Sequence, residues 1–304
     1  MAHPLTGREI TLHHGAYAAS VVTLGASLRS LEHDSRPLVV PFHADRMRPV
    51  FRGALLAPWP NRVVDGRYTF DGEEQQLPLS EPDRGHALHG LLGWTDWQVT
   101  SVADDAVTLT AELAPSAGYP HRLVVDCAYT LTDDGLTTTT TARSLWGRAP
   151  YGVSAHPYLT AGGAPLAASA LTLPADRFVE TSGDRLLPAG EQDVTAASWP
   201  DFRRPTPIGD AQVDHAFTGL RREPDGTARV RLEGPDGFAV EMTWGPELRW
   251  VQVHTADRPE PELDRAGLAV EPMTCPPDAF STGEDVVVLE PGQTHTAAWT
   301  IALG

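Results

Sequence analysis

The chain contains no lysine, and all 23 of its basic residues are arginine. That absence removes Schiff-base aldolases, lysine-anchored pyridoxal enzymes and the lysine of a phosphate-binding P-loop, because each needs a primary amine. Cysteine is scarce as well. Cys127 sits in an apolar, strand-like run and Cys275 in a proline-rich loop, so no disulfide framework is expected and both read as reduced thiols. No apolar run approaches the roughly 20 residues that cross a bilayer. The opening MAHPLTGREI has neither the basic nor the apolar region of a secretory signal. A cytoplasmic protein with no membrane partner is the expectation. Long helical periodicity is missing too.

Positive charge is the minority sign. A formal net charge of −17 argues against a nucleic-acid partner, whose phosphates would be repelled, and reads mainly as an aid to solubility. The hydrophobic fraction of 41% and charged fraction of 21% are those of a globular protein long enough to bury a sizeable core.

What is present is β grammar. In HRLVVDCAYTL, residues Leu123, Val125, Cys127, Tyr129 and Leu131 fall on one face, and Arg122, Asp126 and Thr130 on the other. Asp133-Asp134-Gly135 then turns the chain, and the β-branched run LTTTTTARSL returns, which predicts a hairpin. Similar turns fall at Asp71-Gly72, Asp104-Asp105, Pro235-Asp236-Gly237 and Pro291-Gly292. Proline-rich stretches from Leu186 to Gly209 and from Arg258 to Gly267 read as surface loops. Many hairpins without intervening helices predict an all-β fold, a large antiparallel β-sandwich. No composition shift, internal repeat or low-complexity segment divides it, so residues 1–304 are read as one domain.

Polar residues set among Pro, Gly and Trp mark five segments: APWPNRV (57–63), HALHGLLGW (86–94), GVSAHPYL (152–159), QVDHAF (212–217) and LAVEPMTCPP (268–277). Loops on a rigid scaffold often carry function. Arg62, beside Asn61, could offer forked donors to sugar oxygens or form a surface ion pair. His86 and His89 are three apart in a glycine-flanked loop. That spacing suits a metal on a helix but not in a turn, and no further cluster completes a zinc-like set, so no metal is expected. Gly152-Val153-Ser154-Ala155-His156 lacks the second glycine and the helix of a nucleophile elbow, which argues against a Ser154 hydrolase. His156, before Pro157, is held extended, and imidazole can donate or accept a proton near neutrality. Glu271 ends an apolar run, where a carboxylate needs a partner and tends to a shifted pKa. Among Trp59, Trp94, Trp97, Trp244 and Trp250, one or two are expected near a ligand and the rest in the core.

In this order, Pro60-Asn61-Arg62, Leu88-His89-Gly90, His156-Pro157-Tyr158, Asp214-His215-Ala216-Phe217 and Glu271 before a proline-rich loop resemble the aldose 1-epimerase (galactose mutarotase) family. The resemblance runs from about Gly25 to the last strand. It implies a galactose mutarotase-like supersandwich, no cofactor and a small aldohexose as partner, in a monomer or homodimer. By position it assigns Glu271 as catalytic base and His156 as catalytic acid. It assigns substrate contacts to Arg62, His89 and Asp214, with Asn61 in support and His86 a weaker candidate. The implied reaction exchanges α and β anomers through ring opening.

The sequence departs from better-known members at Pro272-Met273-Thr274-Cys275, at Trp59 and at His254, all expected to line the pocket. These departures resemble a bacterial branch that includes a sulfoquinovose mutarotase and leave the hexose open. A hexose-6-phosphate epimerase would need converging cations, for which Arg48, Arg52 and Arg84 are candidates. A non-catalytic carbohydrate-binding module would have no need of Glu271 and His156. A glycosidase would use two carboxylates such as Asp214 and Glu271.

Overall fold

A computed structural model describes residues 4–304, and among them strands are antiparallel and helix is confined to single turns. The run read from the sequence as alternating forms the strand Arg122–Thr132. It buries Leu123, Val125, Cys127, Tyr129 and Leu131 and pairs in a hairpin with Gly135–Trp146. This hairpin lies in a nine-stranded sheet, in which Thr294–Leu303 pairs with Gly135–Trp146 on one side and Ala239–Trp244 on the other. Hairpins also close at Asp71-Gly72, between Gln98–Val102 and Ala106–Leu113, and between Ala228–Glu233 and Ala239–Trp244.

Two expectations fail locally. Pro291-Gly292 does turn the chain, but Val287–Leu289 pairs with Ala149–Tyr151 rather than with Thr294–Leu303, so no hairpin forms there. Proline-rich residues 186–209 are not all loop: Leu187–Asp193 is a largely exposed edge strand on Ala175–Ser182. An edge needs hydrogen bonds on one side only and tolerates the Pro and Gly that hid it.

A second sheet of six strands runs in the order Tyr158–Leu159, Leu268–Met273, Trp250–His254, Asp214–Leu220, Ala175–Ser182, Leu187–Asp193. A third, of four strands, gathers residues 9–37. One contiguous core joins all three, from Ile10 and Leu12 through Tyr129, Val251 and Val270 to Trp299 and Ile301. The large antiparallel sandwich follows from that shared core.

The six-stranded sheet carries function because of its pleat. Val251, Val253 and Val270 point into the core. By the two-residue period, Gln252, His254 and Glu271 project from the other face. Register places Gln252 opposite Glu271 and His254 opposite Asp214, so four polar side chains share a single patch. No described helix is long and apolar enough to cross a membrane.

Candidate active site

The patch forms the floor of a cavity of about 270 Å³, walled by Phe51, Arg62, His89, Trp94, His156 and Arg258. A larger cleft beside the hairpin Arg67–Gln76 contains none of the five sequence segments and neither imidazole nor a buried carboxylate, so the chemistry lies with the smaller one.

His156 follows the short strand Ser154–Ala155, which pairs with Leu55–Leu56. Its backbone is bonded on both sides, donating to Ala54 O (3.0 Å) and accepting from Gly53 N (2.8 Å). The ring stacks on Tyr158 at 5.1 Å. Its Nε2 lies 3.3 Å from Glu271 Oε1, and both groups are almost wholly buried. Among the described residues, neither His156 Nδ1 nor Glu271 Oε2 has a hydrogen-bond partner.

Burial, followed by the charge of Asp214, raises the Glu271 carboxyl well above its ordinary range, against the pull of Arg62. Burial, with His254 adding to it, lowers His156 to about 3. Burial favours the uncharged form of each group, a carboxylic acid beside a neutral imidazole. A carboxylate beside an imidazolium holds the same number of protons, so a single transfer along the 3.3 Å contact interconverts the two forms.

His89 and Asn61 both adopt left-handed backbone, at φ 59° and 53°, and face each other where the strands Arg62–Val64 and His86–Leu88 begin and end. Asn and His tolerate that region better than branched residues do. The Asn61 backbone N–H donates to His89 Nδ1 (3.2 Å) while the His89 backbone N–H donates to the Asn61 carbonyl oxygen (2.9 Å). Burial, helped by His156 and Arg62, keeps His89 neutral. An accepting Nδ1 leaves the ring proton on Nε2, so His89 can donate to a ligand oxygen.

This tautomer bears on metal binding. His89, His156 and Glu271 each present a ligand-type atom within 4.8 Å of the others, a spacing that an ion could bridge. A ligating imidazole nitrogen must offer its lone pair, and on His89 one nitrogen is engaged by Asn61 and the other carries the proton. The trio suits hydroxyl groups better than a cation.

Arg62 is held by Glu81 in a forked pair, Nε to Oε2 at 2.7 Å and Nη2 to Oε1 at 3.0 Å. Asp214 accepts from Gln252 Nε2 at 2.7 Å and lies 3.7 Å from His254 Nδ1. All six residues singled out from the sequence, Asn61, Arg62, His89, His156, Asp214 and Glu271, thus line one cavity.

Other expectations are corrected. His86 lies outside the cavity, fully buried with Nε2 on Arg185 O, and ties loops together. Trp59 packs on Tyr119 and Phe280 in the core and does not line the pocket, and neither does Pro272-Met273-Thr274-Cys275 beneath it. Trp97, Trp244 and Trp250 are buried, and Trp94 alone of the five tryptophans reaches the cavity. Neither Arg48 nor Arg52 lines the cavity: Arg48 donates to Ser27 Oγ and Gly93 O, and Arg52 gives one bond to Pro41 O and lies over the Tyr158 ring. Arg84 does reach the cavity, bound to Glu81. Gln252, Glu81 and Arg258 belong to the site and were not singled out. The pleat alternation Gln252-x-His254 could have found the first, but only tertiary structure brings in the other two.

Comparison with known proteins fits this geometry. The family model described as aldose 1-epimerase matches residues 8–302. The chain is 35% identical over 298 residues to the uncharacterized protein YihR of Escherichia coli K12, covering 97% of this chain and 93% of that one. It is 28% identical over 275 residues to the E. coli aldose 1-epimerase, covering 81% and 78%. The crystal structure of a protein described as a putative aldose 1-epimerase from E. coli K12 superposes with a TM-score of 0.82 at 26% identity, over 98% of this chain and 99% of that one.

Proposed function

The chain belongs to the aldose 1-epimerase family, and from that premise we propose that it interconverts the α and β anomers of a hexopyranose by acid–base ring opening. The observation that carries the reading is the 3.3 Å approach of a buried carboxylate and a buried imidazole on the floor of a cavity ringed by sugar-type donors and acceptors.

In this reading the sugar lies against the Glu271–His156 pair, which lines the cavity. Its C1 hydroxyl donates to Glu271, and its ring oxygen accepts from His156. Glu271 takes the C1 hydroxyl proton while His156 delivers one to the ring oxygen, and the C1–O5 bond breaks to leave a free aldehyde. The aldehyde turns by about half a rotation about C1–C2 and closes with the proton movements reversed. After opening, Glu271 is protonated and His156 neutral, the same distribution that burial favours in the free site. Arg62, His89 and Asp214 fix the hydroxyls so that both proton paths are short, and Asn61 fixes His89.

An anionic hexose, a 6-phosphate or a 6-sulfonate, is a second reading favoured by one residue. Arg258 lines the cavity and, among the described residues, has no carboxylate in a salt bridge with it, the neighbouring Asp257 carboxylate being already bound by Arg265 at 2.7 Å. A guanidinium without a carboxylate suits a forked contact to an anion. NMR exchange between anomeric signals tests both readings with glucose, galactose, glucose 6-phosphate and the 6-sulfonate. Acceleration confined to anionic sugars and lost in Arg258→Gln selects the second. Binding without acceleration of any sugar sinks both and leaves a carbohydrate-binding module.

A further inference from the structure

We infer that Glu81 is a positioning residue that aims the Arg62 guanidinium into the cavity and screens its charge from the Glu271–His156 pair; the inference rests on the function proposed above. Glu81 lies outside the regular strands, in a tight loop closed by reciprocal backbone bonds with His86, Glu81 N to His86 O at 3.0 Å and His86 N to Glu81 O at 3.2 Å. The loop presents a carboxylate, as buried as the Arg62 side chain, to two arginines at once. Oε2 accepts from Arg62 Nε, and Oε1 accepts from both Arg62 Nη2 and Arg84 Nη1 (2.8 Å).

Such a fork fixes a guanidinium plane, where a single bond would leave it free to swing. With Nε and Nη2 committed, Arg62 has Nη1 uncommitted at a residue that lines the cavity. Burial alone would raise the Glu81 carboxyl, but its bonds to Arg62 and Arg84 more than offset this and hold it below the ordinary carboxylate range. Glu81 is therefore anionic at neutral pH.

The charge count supplies the second part. Arg62, Arg84 and Glu81 together carry one net positive charge, and without the Glu81 carboxylate they would carry two. Around the cavity, Glu271 shares its surroundings with Arg62, His89, His156, Tyr158, Asp214, His254 and Arg258, so an unscreened Arg62 would pull its proton affinity down.

Glu81→Gln keeps the shape and removes the charge. Expected are a KM for the best hexose raised about tenfold, with kcat changed less than about threefold, and an acid limb of the kcat profile moved to lower pH. Glu81→Asp should recover most of the loss in KM. In an Arg62→Gln background, adding Glu81→Gln should cost no more than about a further twofold, because the partner through which it acts is gone. A readout independent of turnover is the Arg62 Nε–H resonance in side-chain NMR of the free protein, expected to be protected in the parent and lost in Glu81→Gln. Losses that multiply independently in the double variant, or an unchanged Arg62 resonance with normal KM in Glu81→Gln, overturn the inference. A parent protein that anomerises no sugar would sink the proposed function, while the resonance would still decide whether Glu81 clamps Arg62.

Discussion

At the scale of single residues, the site depends on two groups that burial pushes toward neutrality. Glu271→Gln retains the shape and removes the base, so anomer exchange is expected to fall at least about 100-fold with folding intact, and near-normal turnover would refute the assignment. His156→Asn should likewise cost at least about 100-fold, whereas a loss below about tenfold would move the acid role to His89, whose Nε2 carries a proton. Stability responds in the opposite sense to function. Because the folded-state affinity of Glu271 for its proton is raised, its contribution is full below its ordinary value of 4.5 and is lost as pH rises toward the folded value. Glu271→Gln mimics the protonated acid, so its Tm should match the parent near about pH 4 and exceed it near about pH 8. Calorimetry at both pH values checks this, and a lower Tm for the variant at the higher pH contradicts it. For His156, lowered to about 3 from 6.5, the contribution is present above 6.5 and lost as pH falls through that window.

At the scale of elements, backbone conformation delivers the side chains. Gly90 follows the left-handed His89 and is itself left-handed at φ 71°. A β-carbon there would drive into the carbonyl of Ala57 and the nitrogen of Pro58, backbone atoms that cannot yield. Gly90→Ala must shift the strand His86–Leu88 away from residues 57–58 and His89 with it. The expected cost is about 2 kcal/mol or more of stability, with a raised KM, measured by denaturant unfolding and anomer exchange. A variant with unchanged stability would mean that the loop has room to move. Trp94, half exposed at the mouth and braced by Arg48 at 4.3 Å, offers a face for a sugar ring. Trp94→Ala should raise KM by about three- to tenfold and leave kcat within about twofold, since it touches no reacting atom.

At the scale of the whole molecule, the core is continuous from Ile10 to Ile301, and the final strand is paired on both sides. The Leu303 amide also reaches the Tyr17 hydroxyl (3.0 Å), joining the two ends of the chain. We propose that the protein unfolds as one cooperative unit. One calorimetric transition is expected, and a chain ending at Gly292 should not fold, because it would leave two central strands with open edges. Two resolved transitions would divide the chain into domains.

The all-β architecture, four of five hairpins and six cavity residues were legible in the sequence, because alternation, turn chemistry and motif order are local properties that survive without coordinates. What the sequence by itself could not determine is how the segments meet. The strand Leu268–Met273 is buried on both faces, so its pattern does not say that Glu271 leaves the core while Val270 enters it. Trp59 and Trp94 carry the same indole, and only packing sends one to the core and the other to the cavity mouth. The clamp of Glu81 on Arg62 spans 19 positions, and the contact between His156 and Glu271 spans 115 by residue number. Such long-range contacts depend on sheet register and loop closure, and these were decided by the tertiary structure alone.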